Sequence, residues 1–187
     1  LQKIEAILSG TISYIFNNFN GAATFHDVVK TAQELGYTEP DPRDDLRGTD
    51  FMRKILILAR DAGYTMEADD IQIDSILPRA CLEAKTVADF YETLKAENAY
   101  FEGLKNEAAA GNKVLRYIGK LENGKASIGL QMVDAAHPFY IMSGSDNIIA
   151  FNTDRYKERP MVVKGPGAGA EVTAAGVFAD LINVGAN

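Results

Sequence analysis

Residues 113–133 read KVLRYIGKLENGKASIGLQMV, and here the spacing of apolar residues changes from helical to alternating. Asn123-Gly124 is a strong hairpin signal, because a two-residue type I′ turn needs positive φ at both central positions. It separates two strand-like runs, Val114–Leu121 and Ala126–Val133, and in the second Ala126, Ile128, Leu130 and Met132 fall on one side. An apolar sheet face must be buried against another layer. Helical periodicity precedes the hairpin, so the chain combines helices with strands.

Toward the N-terminus, Thr86–Ala110 reads as one or two helices with Val87, Phe90, Tyr91, Leu94, Phe101 and Leu104 as core positions. Ile71–Ile76 reads as a strand stopped by Pro78. Thr24–Leu35 is a helix whose Thr24 and Asp27 have capping-box spacing. Its face is Phe25, Val28, Val29, Ala32 and Leu35, with Gly36 closing it. Ile4–Leu8 is a strand ended by Ser9-Gly10, and Thr11 begins another short helix. The Ser9-Gly10-Thr11 turn offers backbone N–H groups that suit an anion, although a plain helix cap has the same spacing. Beyond the hairpin, His137-Pro138-Phe139 is a turn and Ile148–Asn152 a strand. Met161–Val163, the loop Gly165–Ala170 and an Ala-rich helix over Thr173–Ile182 then form a strand–glycine loop–helix unit. That geometry lets a phosphate or planar ring approach backbone, but tight packing of a terminal helix accounts for it equally well.

Composition excludes several classes. The net charge is −7 with no Lys/Arg cluster, which argues against a nucleic-acid partner. Cys81 is the only cysteine, and His26 and His137 lie far apart, so neither a disulfide nor a metal site is expected. No apolar run of membrane-spanning length occurs, and no secretion signal opens the chain. A cytoplasmic protein is expected. The chain begins at once with a strand, as a piece excised from a longer protein would.

The candidate site is Gly36–Lys54, GYTEPDPRDDLRGTDFMRK. Pro40 and Pro42 fix φ and lack N–H groups, so an extended, stiff, non-helical loop is expected. A helix follows from about Asp50 to Ala62, with Phe51, Ile55, Leu58, Ala59 and Ala62 on one apolar arc. Asp50 and Lys54 are i,i+4 neighbours at the margin of that arc. Such a pair facing an acidic loop fits proton chemistry or the gripping of a zwitterion, although acidic Pro-rich loops are more often solvated surface.

Several blocks together resemble homoserine dehydrogenase. They are Ser9-Gly10-Thr11-Ile12-Ser13-Tyr14-Ile15, Gly36-Tyr37-Thr38-Glu39-Pro40-Asp41-Pro42, Asp44-Asp45-Leu46, Gly48-Thr49-Asp50 and Lys54, with Gly165-Pro166-Gly167-Ala168-Gly169 and Val172–Val177 as a distant block. The wording looks most like the dehydrogenase part of bifunctional aspartokinase/homoserine dehydrogenases. The resemblance implies NAD- or NADP-linked interconversion of L-aspartate 4-semialdehyde and L-homoserine, in threonine and methionine biosynthesis. It implies an α+β fold, a mixed sheet covered by helices, in which residues 1–160 form the substrate-binding, catalytic and dimerisation domain and residues 161–187 return to a Rossmann domain. That domain lies outside this sequence, so the chain alone is expected not to transfer hydride.

The resemblance also assigns roles. Lys54 is catalytic, as proton donor or substrate anchor, and Asp50 orients it. Glu39 and Asp45 recognise the substrate ammonium with Tyr37 nearby, while Gly10 and Thr11 bind a polar end of the substrate. Gly167, Ala168, Gly169 and Glu171 approach the nicotinamide end of the cofactor. A homodimer through the sheet is expected. The competing reading is a non-catalytic dimerisation or amino-acid-binding module.

Overall fold

The computed structural model describes residues 1–186. The hairpin predicted from Asn123-Gly124 lies at the centre of the fold. Strands β3 (Val114–Glu122) and β4 (Lys125–Val133) pair antiparallel in the register Glu122↔Lys125 to Val114↔Val133. Asn123 and Gly124 both adopt positive φ, 52° and 72°. The sheet has six strands in the order β2-β4-β3-β1-β5-β6. The others are β1 (Lys3–Ile7), β2 (Ile71–Ile73), β5 (Asn147–Asn152) and β6 (Met161–Gly165). Only β2 on β4 is parallel, and the remaining pairs are antiparallel.

One face carries Ile4, Ala6, Leu115, Tyr117, Leu121 and Ile128, all buried. Helices α1 (Gly10–Asn18), α4 (Thr49–Asp61) and α7 (Asn98–Ala110) pack onto β3. Gly119 lets α4 come close: a Cβ there would lie 2.4 Å from Ile55 Cδ1. Helices α2 (Phe25–Glu34) and α6 (Val87–Ala96) add an outer layer, with the short α5 (Arg79–Leu82) packed on α6. Phe25 of α2 stacks on Phe101 of α7 at 3.8 Å between centroids. The opposite sheet face is different in character. Cross-strand partners Lys3↔Glu122 and Glu5↔Lys120 place four charges together there, with Lys3–Glu5 and Lys120–Glu122 ion pairs of 2.8 and 2.7 Å.

Three expectations need correction. The segment after Pro40 is not wholly extended: Pro42–Leu46 forms a one-turn helix, α3. Pro42 sits at its start, where a missing N–H costs nothing, and Asp41 caps it by accepting from the Arg43 N–H at 3.0 Å. Leu35 is 61% exposed, because α2 ends at Glu34 and the chain turns away at Gly36. The parallel strand stops at Ile73, since Asp74 leaves the ladder after one last N–H bond to Ile128 O.

The C-terminal helix α8 runs Ala170–Ala186, longer than predicted, and none of its side chains is buried. Phe178 and Leu181 are each 65% exposed.

Candidate active site

The acidic segment is folded by a staple. Arg43 is buried, pairs with Asp41 at 2.5 Å and donates to the Ala84 carbonyl. The guanidinium holds the Asp41 carboxyl below the usual carboxylate range. Asp41 is thus structural, and α3 is fixed so that Asp45 points back toward α1. Asp45 Oδ2 accepts the Glu39 N–H at 2.8 Å, and its Oδ1 accepts from the Thr11 hydroxyl at 3.1 Å. Burial pushes the Asp45 carboxyl up, and these two bonds only partly offset that. The single Thr11 hydroxyl proton is shared with the Tyr37 carbonyl, the nearer acceptor at 2.5 Å. The Tyr37 ring stacks on Tyr14 at 4.3 Å and 18°. Thr11 and Tyr14, one turn of α1 apart, therefore fix both the backbone and the ring of Tyr37.

Gly48 delivers the second half of the segment. It has φ 74°, and a Cβ there would meet the Tyr117 hydroxyl at 2.9 Å, so only glycine enters α4 in this way. Phe51 and Ile55 then bury against the sheet, and Asp50 and Lys54 emerge on the margin of α4. Lys54 Nζ pairs with Asp50 Oδ2 at 2.8 Å and donates to Leu8 O, at the end of β1, at 3.0 Å. Their side chains are 41% and 67% exposed. Pairs this open contribute at most about 1 kcal/mol to stability, so the arrangement has little structural value of its own.

These groups surround a cleft of about 430 Å³. Ser9, Gly10 and Thr11 form one wall, and Gly36, Tyr37 and Asp45 a second. Asp50 and Lys54 lie between them, and Pro166–Gly169 close the far side. The size falls within the range of small-molecule sites. At the α1 end, Ser9 caps the helix by accepting the Ile12 N–H at 3.2 Å. That leaves the first-turn N–H groups of Gly10 and Thr11 without a helical acceptor, as at any helix start. Glu39 is exposed and lines the adjoining acidic hollow, of about 450 Å³, which shares Ser9, Asp45 and Asp50. Gly167, Ala168 and Gly169 lie in the cleft wall, whereas Glu171 is exposed on the first turn of α8 and is not among the lining residues.

Sequence reasoning missed Ser145 and Asn147, which also line the cleft. They are placed by α1: the Ser13 hydroxyl donates to Asp146 O at 2.9 Å, and Asn17 Nδ2 donates to Gly144 O at 2.8 Å. A Cβ on Gly10 would lie 3.1 Å from Ser145 O, so the close approach of this turn depends on that glycine. The sequence marks Gly144–Asn147 as a turn, but nothing local places that turn in the cleft, because its partners are over a hundred residues away. Leu8 O was missed as well, since backbone acceptors leave no trace in side-chain spacing. Among the described residues no cluster of His, Cys, Asp or Glu could hold a metal, and no helix is long and apolar enough to cross a membrane.

Comparison with known proteins agrees with this architecture. The family profile described as homoserine dehydrogenase matches residues 1–182. The chain is 48% identical over 186 residues to a chloroplastic bifunctional aspartokinase/homoserine dehydrogenase of Zea mays, covering 98% of this chain and 20% of that protein. It is 46% identical over 191 residues to the homoserine dehydrogenase of Saccharomyces cerevisiae, covering 98% and 53%. Among solved structures, a Candida auris protein of unknown function superposes with TM-score 0.93 at 46% identity, over 98% of this chain and 53% of that one. Staphylococcus aureus homoserine dehydrogenase superposes with TM-score 0.76 at 27% identity, over 99% and 43%. The chain thus spans from a fifth to about half the length of these relatives.

Proposed function

The chain belongs to the homoserine dehydrogenase family, and on that premise we propose that it is the substrate-binding and catalytic part of an enzyme interconverting L-aspartate 4-semialdehyde and L-homoserine with NAD or NADP. One observation carries the reading: Lys54 Nζ is held between Asp50 and Leu8 O at 2.8 and 3.0 Å, in the wall of the cleft. An ammonium has three N–H groups. Two are spent on these partners, so the third is left for a substrate oxygen.

The other residues divide a small amino acid between them. Glu39 and Asp45 carry negative charge suited to its ammonium, beside Tyr37. The N–H groups of Gly10 and Thr11, at the positive end of α1, suit an anionic or polar end. Asp50 fixes Lys54 against Leu8 O. On reduction, the aldehyde oxygen accepts the Lys54 N–H and takes up a proton as it becomes an alcohol; on oxidation, the same nitrogen receives the proton back or holds the oxygen while water does. The reduced nicotinamide, when bound, supplies the hydride to the aldehyde carbon. The residues present leave room for such a ring at the Gly169 end of the loop, where nothing lies within 4 Å of the place a Cβ would take. Gly167, Ala168 and Gly169 would hold the nicotinamide end, with Glu171 beyond them.

The domain division fits the same reading. Residues 161–186 carry exposed Val177, Phe178, Leu181 and Ile182, an apolar surface suited to a nucleotide-binding domain, whereas residues 1–160 hold the core. The charged sheet face, with Lys3, Glu5, Lys120 and Glu122 in alternating sign, suits a second copy of itself and a homodimer. The test of catalysis is Lys54→Ala in the enzyme containing its nucleotide-binding domain, followed by NADPH oxidation with aspartate 4-semialdehyde. A loss of roughly 10²–10⁴ in turnover is expected for removing a positioned proton donor. Turnover equal to the parent would refute the assignment. Light scattering tests the dimer.

A further inference from the structure

Asn147 opens β5 and lines the cleft, and its carboxamide has no hydrogen-bond partner among the described residues. Its Oδ1 is wholly buried and unsatisfied. Its Nδ2 is pressed against Gly167, where any side chain would collide at 1.9 Å. Leaving a buried polar atom unpaired costs free energy, and native structures seldom tolerate it without cause. A hydrophobic residue would fill this place more cheaply if packing were all that mattered. The fold nevertheless fixes the backbone that carries the amide on both sides. β5 pairs Asn147 with Gly165, and the Ser13 bond to Asp146 O fixes the residue before it.

The unspent groups are one acceptor and two donors on a planar amide, a set complementary to another primary amide. The reactants of the proposed reaction offer few N–H donors. The substrate ammonium is drawn to the carboxylates of Glu39, Asp45 and Asp50, where a neutral amide cannot compete. Of the N–H donors left, the adenine amino group and the nicotinamide carboxamide, the carboxamide is the one at the reacting end, which the reading above sets beside Gly167–Gly169 in this cleft. We infer that Asn147 is a cofactor-binding residue whose Oδ1 accepts an N–H of the nicotinamide carboxamide and so sets which face of the ring meets the substrate. This rests on the dehydrogenase reading above. The pairing requires the Gly165–Gly169 loop to shift off the amide as the ring enters, and glycines at both ends of that loop allow it.

The test uses the enzyme containing its nucleotide-binding domain, as parent, Asn147→Ala and Asn147→Asp. Dissociation constants are measured by fluorescence titration for NADPH and for the reduced 3-acetylpyridine analogue, in which a methyl group replaces the carboxamide nitrogen. Asn147→Ala should weaken NADPH binding about tenfold, the value of one net hydrogen bond. It should weaken the analogue less than twofold, because the analogue already lacks the donor. Asn147→Asp keeps an acceptor and should fall between parent and Asn147→Ala for NADPH. Without ligand, Asn147→Ala should melt at or above the parent temperature, since an unpaired atom is removed. Equal losses for both dinucleotides, no loss for either, or a loss confined to homoserine binding would overturn the inference alone. Failure of the parent to bind NADPH or NADH would overturn the dehydrogenase reading and this inference together.

Discussion

Gly119→Ala is expected to disturb the site from beneath α4, because Gly119 faces that helix. The added Cβ would lie 2.4 Å from Ile55 Cδ1, 2.6 Å from Ile55 Cγ1 and 2.8 Å from Phe51 Cε1. All three distances are below any real carbon–carbon contact, so α4 or its side chains must move. Overpacking of this kind costs about 1–3 kcal/mol. Relief of glycine's backbone entropy returns about 0.5–1 kcal/mol. The net destabilisation is at most about 2.5 kcal/mol, or a melting temperature lower by up to about 10 °C for a chain of this size. Phe51 and Ile55 flank Lys54 on the same helix. Lifting them should draw Nζ away from Leu8 O, and catalysis should fall more steeply than stability. Ile55→Val deletes the atom in closest conflict and costs about 0.5–1.5 kcal/mol alone. The double variant Gly119→Ala/Ile55→Val should therefore be more stable than the sum of the single effects by at least about 1 kcal/mol, measured by chemical denaturation. Additivity within about 0.5 kcal/mol would refute the packing argument.

Two further variants probe titrating groups. Burial raises the Asp45 carboxyl, so its ionisation lowers stability as pH rises from its ordinary value through the raised one, and the loss persists above that window. Asp45→Asn should thus be at least as stable as the parent near neutral pH yet bind homoserine more weakly, read by thermal melts and calorimetric titration; a marked loss of stability at pH 7 would contradict the account. Glu5 is lowered from 4.5 to about 2, first by its His137 partner and then, against burial, by Lys3. Its stabilisation is complete above pH 4.5 and drains away as pH falls toward 2, so the deficit of Glu5→Gln in acid titrations should be full near pH 6 and vanish below about pH 2. A deficit that does not change with pH would contradict it.

The sequence by itself determined what local chemistry can dictate. Asn123-Gly124 imposed the hairpin, because few other dipeptides accept positive φ twice. Thr24 and Asp27 started α2 where predicted. The i,i+4 spacing made Asp50 and Lys54 neighbours, since helix geometry admits nothing else. The Pro-rich arm was misjudged as wholly extended because proline's helix-breaking effect was counted without its tolerance at the first position, where the Arg43 staple made a helical turn worthwhile.

Tertiary structure alone decided how these pieces form a cleft. The Leu8 carbonyl reaches Lys54 only because β1 ends beside α4. Thr11 meets Asp45 only because α3 folds back over α1. Asn147 enters the wall because Ser13 and Asn17 of α1 hold a turn more than 120 residues later in the chain. Each of these contacts joins groups with no periodic relation in sequence. Their energies arise from through-space hydrogen bonding and close packing, which a one-dimensional pattern does not encode.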